Sequence, residues 1–323
     1  MHVLVTGGAG FIGSHLADRL VAGGDTVTII DNLATGKKEN IAGLLGHERF
    51  SAHFDTILNV SLMEDLVSKC DVIYHLAAPV GVKWIMTHPI ETITENVRGI
   101  DILMTAAAKY RKKILIASTS EVYGEHMDGR ISEESKCIMG TVQNHRWAYA
   151  YTKAVDEFLG LAYYKEQKLP VVVCRFFNTV GPRQSNQYGM VIPSFISQAL
   201  NNQPITVYGD GEQSRSFLYV ADLLDGVEKL MALPQAEGEL FNLGNEIEIT
   251  MNDLALLVKK MANSSSEIVH VPYQEAYGAG FEDMRRRIPD ISKAKRFVGF
   301  SPSHSLPQII EKMVEHHRIT MNP

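Results

Sequence analysis

Cysteine is scarce: Cys70, Cys137 and Cys174 are the three in 323 residues. They stand far apart and lack metal-ligand spacing, so free thiols in a reducing compartment are expected rather than a disulfide framework. Long apolar runs are missing as well. No stretch reaches the roughly 18 apolar residues needed to span a bilayer, and an apolar strand begins at once, so neither a membrane span nor a signal peptide is expected and the location reads as cytoplasmic. The charge excess is small, 31 Lys and Arg against 37 Asp and Glu. Without a basic stripe, nucleic acid is not an expected partner. The twelve histidines form no HExxH-like cluster, and His316-His317 reads as a solvated helix face rather than a metal site. No repeat or low-complexity segment is visible.

What is present begins with Val3-Leu4-Val5-Thr6-Gly7-Gly8-Ala9-Gly10-Phe11-Ile12-Gly13, an apolar strand, a glycine turn and the start of a helix. Gly7 permits the tight exit from the strand, Gly10 lets backbone approach phosphates, and Gly13 lets helix pack on sheet. The context completes a βαβ unit, because residues 14–21 continue an amphipathic helix and residues 26–30 form a second buried strand that ends at Asp31. This arrangement binds a dinucleotide pyrophosphate at a helix N-terminus. Asp31 accepts ribose hydroxyls and repels a 2′-phosphate, which selects NAD over NADP. Phe11, Ile12 and Asn32 belong to the same candidate cofactor wall.

Strand-like runs recur at residues 3–6, 27–30, 49–54, 72–76, 114–118 and 171–176, separated by segments of helical period. That alternation predicts an α/β fold, a doubly wound parallel Rossmann sheet. Two long helices are expected at about 88–110 and 147–168, the second stopped by Pro170. After Phe176 the texture changes to loops, then a helix over 217–230, a strand over 239–243 returning to the sheet, and a lid-like C-terminal part. The expected division is an NAD-binding domain of residues 1–177 plus about 213–243, and a smaller, discontinuous α/β substrate domain of 178–212 and 244–323.

The strand ending Ala117-Ser118-Thr119-Ser120-Glu121 is followed by Tyr149-Ala150-Tyr151-Thr152-Lys153, which puts Tyr149 and Lys153 one turn apart on one helix face. A phenol that titrates near ~10 becomes a usable base only beside positive charge, here the Lys153 ammonium and the nicotinamide. Tyr149 would then take a proton from a substrate hydroxyl that Thr119 also bonds, while Lys153 holds the nicotinamide ribose. Tyr151 has no lysine at that spacing.

With the glycine turn and this pair, the chain resembles an extended short-chain dehydrogenase/reductase of the NAD-dependent epimerase/dehydratase family, which acts on nucleotide sugars. The resemblance also rests on Asp71-Val72-Ile73-Tyr74-His75-Leu76-Ala77-Ala78, Arg175-Phe176-Phe177-Asn178-Thr179-Val180-Gly181-Pro182-Arg183, Val207-Tyr208-Gly209-Asp210-Gly211 and Arg215-Ser216-Phe217. It implies that Leu76, Ala77 and Ala78 line the cofactor and that Asp55 with Thr56 or Ile57 meets the adenine. It further implies substrate contacts from Lys83, Asn178, Arg183, Tyr208, Arg215 and Arg287, with Asn178 and Arg215 on the diphosphate. A homodimer through the two long helices is implied too, and Ala150, Ala154, Phe158, Leu161 and Ala162 are the expected apolar stripe.

Members of this family transiently oxidise the sugar at C4 and then diverge. Dehydratases carry an aspartic acid after the catalytic threonine, a place held here by Ser120, so dehydration is disfavoured. Thr119-Ser120-Glu121-Val122-Tyr123-Gly124, Arg146-Trp147-Ala148-Tyr149 and Arg287-Ile288-Pro289-Asp290-Ile291 resemble UDP-glucuronate decarboxylases. The implied roles are that Glu121 and Ser120 orient or deprotonate the C6 carboxyl, while Arg287 positions it or supports reprotonation at C5. The segments 79–84 and 184–190 differ from that group, which keeps open a UDP-sugar or UDP-uronic acid 4-epimerase. A catalytically silent NAD-binding regulator is the reading from another class; the intact Thr119, Tyr149 and Lys153 oppose it.

Overall fold

The computed structural model describes residues 1–79, 81–125, 129–185, 190–277 and 285–321. The elements of the first half are β1 (His2–Thr6), α1 (Phe11–Ala22), β2 (Thr26–Ile30), β3 (Phe50–His53), α2 (Val60–Lys69), β4 (Val72–His75), α3 (Val82–Thr87), α4 (Pro89–Lys109), β5 (Lys113–Thr119), α5 (Ala148–Gln167) and β6 (Val171–Phe176). There follow β7 (Thr179–Val180), α6 (Val191–Leu200), β8 (Ile205–Tyr208), β9 (Ser214–Ser216), β10 (Leu218–Tyr219), α7 (Val220–Ala232), β11 (Glu239–Leu243) and β12 (Glu248–Thr250). The chain closes with α8 (Met251–Ala262), β13 (Ile268–Val271), α9 (Tyr273–Tyr277), β14 (Arg286–Arg287), α10 (Ser292–Val298) and α11 (Leu306–Met321).

Seven parallel strands in the order β11-β6-β5-β4-β1-β2-β3 make the central sheet. Its inner strands are mostly apolar because helices cover both faces, whereas the edge strand β3 is only partly buried, and the strand period of two sends alternate residues to opposite sides. Val3 and Val5 join the core under α1 and α7, while Leu4 between them joins the core under α2 and α4. The same alternation sends Leu115 to the first core and Ile114 and Ile116 to the second. The chain runs one way from β1 through β2 to β3 and then crosses back to β4. A ligand crevice opens at such a switch point, beyond the carboxyl ends of the strands.

Both long helices lie where the pattern puts them, and their ends have local causes. Pro89 sits at the first position of α4, where its missing N–H costs nothing. Lys168 ends α5 in the left-handed region at φ 55°, donating to Tyr164 O at 3.0 Å ahead of Pro170. Asn59 caps α2 by accepting from Leu62 N at 3.3 Å.

A third apolar core, from Val180 to Val314, joins α6, α8 and α11 with Ile205, Val207 and Phe217. Here the structure departs from the expected helix over 217–230. Residues 214–219 are extended, and the helix starts only at Val220. β9 pairs with β12 and β14, and β10 pairs with β7. Those partners lie far away in sequence, so no local pattern announces the strands.

Candidate active site

One cavity of about 580 Å³ opens at the carboxyl ends of β1, β4 and β5 and extends to α6, β8 and β9, a size suited to a cofactor and a small substrate. Its first wall is the glycine turn. Gly7 has φ +72°, and a Cβ there would lie 2.9 Å from Ala77 Cα; at Gly13 a Cβ would fall 2.2 Å from Gly7 O. Only hydrogen fits between the turn, β4 and the first turn of α1. Gly10 stands before α1 with no side-chain cap, so the helix presents its N-terminal amides to the cavity. Asp31, buried at the end of β2, accepts from Ala9 N at 2.9 Å and Leu33 N at 2.8 Å. Burial pushes its carboxyl up, while those amides pull it down. A carboxylate has about four acceptor sites, so capacity remains for ribose hydroxyls.

Phe11, Ile12, Asn32, Leu76, Ala77 and Ala78 line the same cavity, with Asp55, Thr56 and Ile57 further along it. Asp55 is fixed by Thr56 N at 2.7 Å and Asn59 Nδ2 at 2.8 Å. These residues form a continuous trough that fits an extended dinucleotide with its pyrophosphate on α1.

Across the trough stand Thr119, Ser120, Glu121 and Tyr149. Thr119 ends β5 and accepts from Glu121 N at 3.2 Å, starting the short 3-10 turn Ser120–Tyr123. Glu121 lies between two guanidinium groups, with Arg146 on one carboxylate oxygen and Arg287 on the other. Burial raises a carboxyl, but the charges of Arg146 and then Arg287 outweigh it and hold Glu121 well below the usual carboxylate range. The expectation that Glu121 deprotonates anything therefore does not fit: both oxygens are held by cations. Arg287 also donates to Asn178 Oδ1 at 3.0 Å, and Asn178 donates to Ser216 O at 2.9 Å. In the β14–β9 register Arg287 is the partner of Arg215. Pairing of distant strands thus brings both arginines to one wall, with Tyr208 at the end of β8.

Two expected residues stand elsewhere. Lys153 is not among the cavity-lining residues; its ammonium donates inward to Asp156 Oδ2 at 2.6 Å, both side chains almost wholly buried. Arg183 pairs with Asp18 of α1 at 2.7 Å, outside the lining, because its turn carries it to that helix. Lys83 falls within α3, but its side chain lies outside the described residues. Residue 80 of the segment 79–84 and residues 186–189 of the segment 184–190 are outside them too. Arg285 and Arg286 form exposed pairs with Asp210 and Glu248.

In the sequence Arg146 is only one letter of the motif Arg146-Trp147-Ala148-Tyr149. Its place three residues before Tyr149, one helical turn back, was the signal for a site role. Asp156 gave a comparable signal, one turn beyond Lys153. Gln213 gave none: it is buried, lines the cavity and donates to Tyr208 O at 2.9 Å.

A parallel doubly wound sheet, a glycine cradle at its switch point and a Thr-Tyr pair facing it define an extended short-chain dehydrogenase/reductase. A family model described as GDP-mannose 4,6 dehydratase matches residues 4–313, and the chain belongs to that family. It is 40% identical to a UDP-N-acetyl-alpha-D-glucosaminuronate decarboxylase of Bacillus cytotoxicus over 98% of this chain and 97% of that protein. It is 39% identical to UDP-glucuronic acid decarboxylase 2 of Arabidopsis thaliana, covering 98% of this chain and 68% of that one. A solved UDP-glucuronic acid 4-epimerase from Bacillus cereus, in complex with UDP-glucuronic acid and NAD, superposes with a TM-score of 0.89 at 31% identity, covering 99% of this chain and 100% of that one.

Proposed function

We propose that the chain is an NAD-dependent decarboxylase of a UDP-linked uronic acid, with UDP-glucuronate as substrate and a UDP-pentose as product. The observation that carries this is Glu121, half-buried and held between Arg146 and Arg287 on the wall that also holds Thr119 and Tyr149. One carboxylate against two guanidinium groups leaves a net positive charge, and a C6 carboxylate is the group that complements it. The glycine trough of Gly7, Gly10 and Gly13 with Asp31 would hold NAD, which would supply a reversible hydride acceptor for C4 of the sugar. Tyr149 takes the C4 hydroxyl proton, and Thr119 bonds the same oxygen. The C4 carbonyl is then β to the carboxylate, so the C5–C6 bond breaks, carbon dioxide leaves and the electron pair remains as an enolate that is protonated at C5. Arg287 grips the carboxylate, and Glu121 with Asn178 fixes the direction of its fork. Arg215 and Asn178 hold the diphosphate, with Tyr208 beyond them.

The working assembly is proposed to be a cytoplasmic homodimer. Support for the dimer is the apolar surface across α4 and α5, where Ile90 is 80% and Phe158 78% exposed beside Ile93, Val97 and Val155. Of the expected stripe, Ala150 is instead buried, so the exposed line runs through Tyr151, Val155 and Phe158. Among the described residues no helix is long and apolar enough to cross a membrane. The two-part division at residues 178, 213 and 244 is proposed on the separate third core.

The test is proton NMR of the protein with UDP-glucuronic acid and NAD. A new pentose anomeric signal with loss of the uronate supports decarboxylation. The galacturonate epimer would instead support the 4-epimerase, the second reading that the Bacillus cereus neighbour favours. Turnover confined to UDP-N-acetylglucosaminuronate would keep the reaction and change the substituent at C2, as the Bacillus cytotoxicus relative suggests.

A further inference from the structure

We propose that Asn242 is a positioning residue for the grip on the uronate carboxylate: from the edge of the central sheet it sets where Glu121 and Arg287 stand relative to each other, without touching either. This rests on the reading of Arg287 as the partner of that carboxylate. Glu121 is carried by the 3-10 turn Ser120–Tyr123, and Arg287 by β14, 166 residues further along. A turn of four residues and a strand of two are held only as well as what they lie against. Asn242 belongs to β11, the edge strand that pairs with β6, and is wholly buried. Its side chain reaches three chain segments at once. The Tyr123 hydroxyl, two residues after Glu121, donates to Asn242 Oδ1 at 2.7 Å. Asn242 Nδ2 donates to Ile131 O at 2.9 Å and to Asp290 O, three residues after Arg287, at 3.3 Å. Carbonyl oxygens only accept, so the amide stands one way round and both its N–H groups are in use.

The surroundings tighten this join. Ile131 donates its N–H to Ile288 O at 2.8 Å and accepts from Asp290 N at 2.8 Å, pairing with the chain on either side of Pro289. The backbone N–H of Asn242 donates to Glu133 Oε1 at 2.8 Å, which ties down the segment of Ile131 a second time. Tyr123 is buried, its ring 6.0 Å from Phe177 with the Arg175 guanidinium 4.4 Å over it. Arg175 faces Asn242 across the β11–β6 ladder. At Gly244 a Cβ would fall 2.6 Å from Pro289 Cγ, so the chain after Arg287 lies directly on the chain leaving β11. Asn242 therefore holds the Glu121 turn through Tyr123 and the Arg287 strand through Asp290, and the fork of Arg287 is set before a substrate enters. The benefit falls on the carboxylate, because a sugar with a hydroxymethyl group at C6 offers Arg287 no charge to grip.

The test is calorimetric comparison of UDP-glucuronate with UDP-glucose on the NAD-loaded whole protein carrying Tyr149→Phe, which slows turnover so that binding is read. This parent should prefer the uronate, and Arg287→Gln should remove most of the preference. Asn242→Ala should reduce it about tenfold, and Tyr123→Phe, which keeps the ring and loses one hydrogen bond, about threefold. The affinity for UDP-glucose should not change in either. Because the effect runs through Arg287, Tyr123→Phe should cost nothing more once Arg287→Gln is present, whereas a purely structural role would add. An undiminished preference in Tyr123→Phe overturns the proposal. So does an equal loss for the two sugars, an effect of Tyr123→Phe that persists beside Arg287→Gln, or a parent with no preference for the uronate. Tyr123→Phe decides alone where Asn242→Ala does not fold. The readout is binding, so a uronate 4-epimerase would give the same preferences; failure of the decarboxylase reading shows in the NMR spectrum instead.

Discussion

A carboxylate held by two guanidinium groups is a poor base and a good anchor, and this governs what substitutions at Glu121 should do. Glu121→Gln removes the charge that orients Arg287, so carbon dioxide release should be abolished while NAD stays bound; retained decarboxylation, followed by release of labelled carbon dioxide, would sink the assignment. Tyr149→Phe removes the proton acceptor and should lower kcat by about 10²- to 10⁴-fold, the usual worth of a positioned general base. Substrate KM would change far less, and steady-state kinetics separates the two. Glu157 of α5 forms a bidentate pair with Arg175 of β6, joining helix to sheet, and both are buried. Glu157→Gln strands a buried arginine and should cost roughly 3–5 kcal/mol in denaturant unfolding. At this scale the residue types were legible from sequence, whereas the partner each one chooses was not. Lys153 shares a helix face with Tyr149 and also reaches Asp156, and packing decided between them.

Elements were legible where their cause is local. α4 and α5 follow from apolar periodicity and their flanking prolines, and β1 and β6 from β-branched runs. β9, β10 and β14 escaped because short strands exist only by virtue of partners: Ser214–Ser216 is extended through pairing with Glu248–Thr250 and Arg286–Arg287. Charging the exposed α5 face tests whether α4 and α5 carry the assembly. Phe158→Glu leaves the monomer core alone, since the ring is 78% exposed, and should convert a dimer to monomer in sedimentation velocity. A dimer that persists would move the interface off these helices.

For the whole molecule the decisive feature is that the cavity lies between the parallel sheet and the third core, with walls drawn from both. A ligand filling it should stabilise the fold. NAD at about 100 times its Kd should add roughly 2.7 kcal/mol, which for a chain of this size raises Tm by roughly 4 °C. Gly7→Ala, with a methyl forced against Ala77, should lose most of that increment in a thermal-shift measurement. The sequence by itself determined the sheet-and-helix alternation, the dinucleotide turn and the chemical types at Thr119, Glu121, Tyr149 and Arg287, because each is written in neighbouring residues. Only the tertiary structure decided that Arg146 and Arg287 close on Glu121, that Arg183 turns to Asp18 and that Lys153 turns to Asp156. These are choices among partners competing for one charge: burial settles them at Lys153, Arg146 and Arg287, and the turn that reaches α1 settles the partly exposed Arg183–Asp18 pair, neither of which spacing encodes.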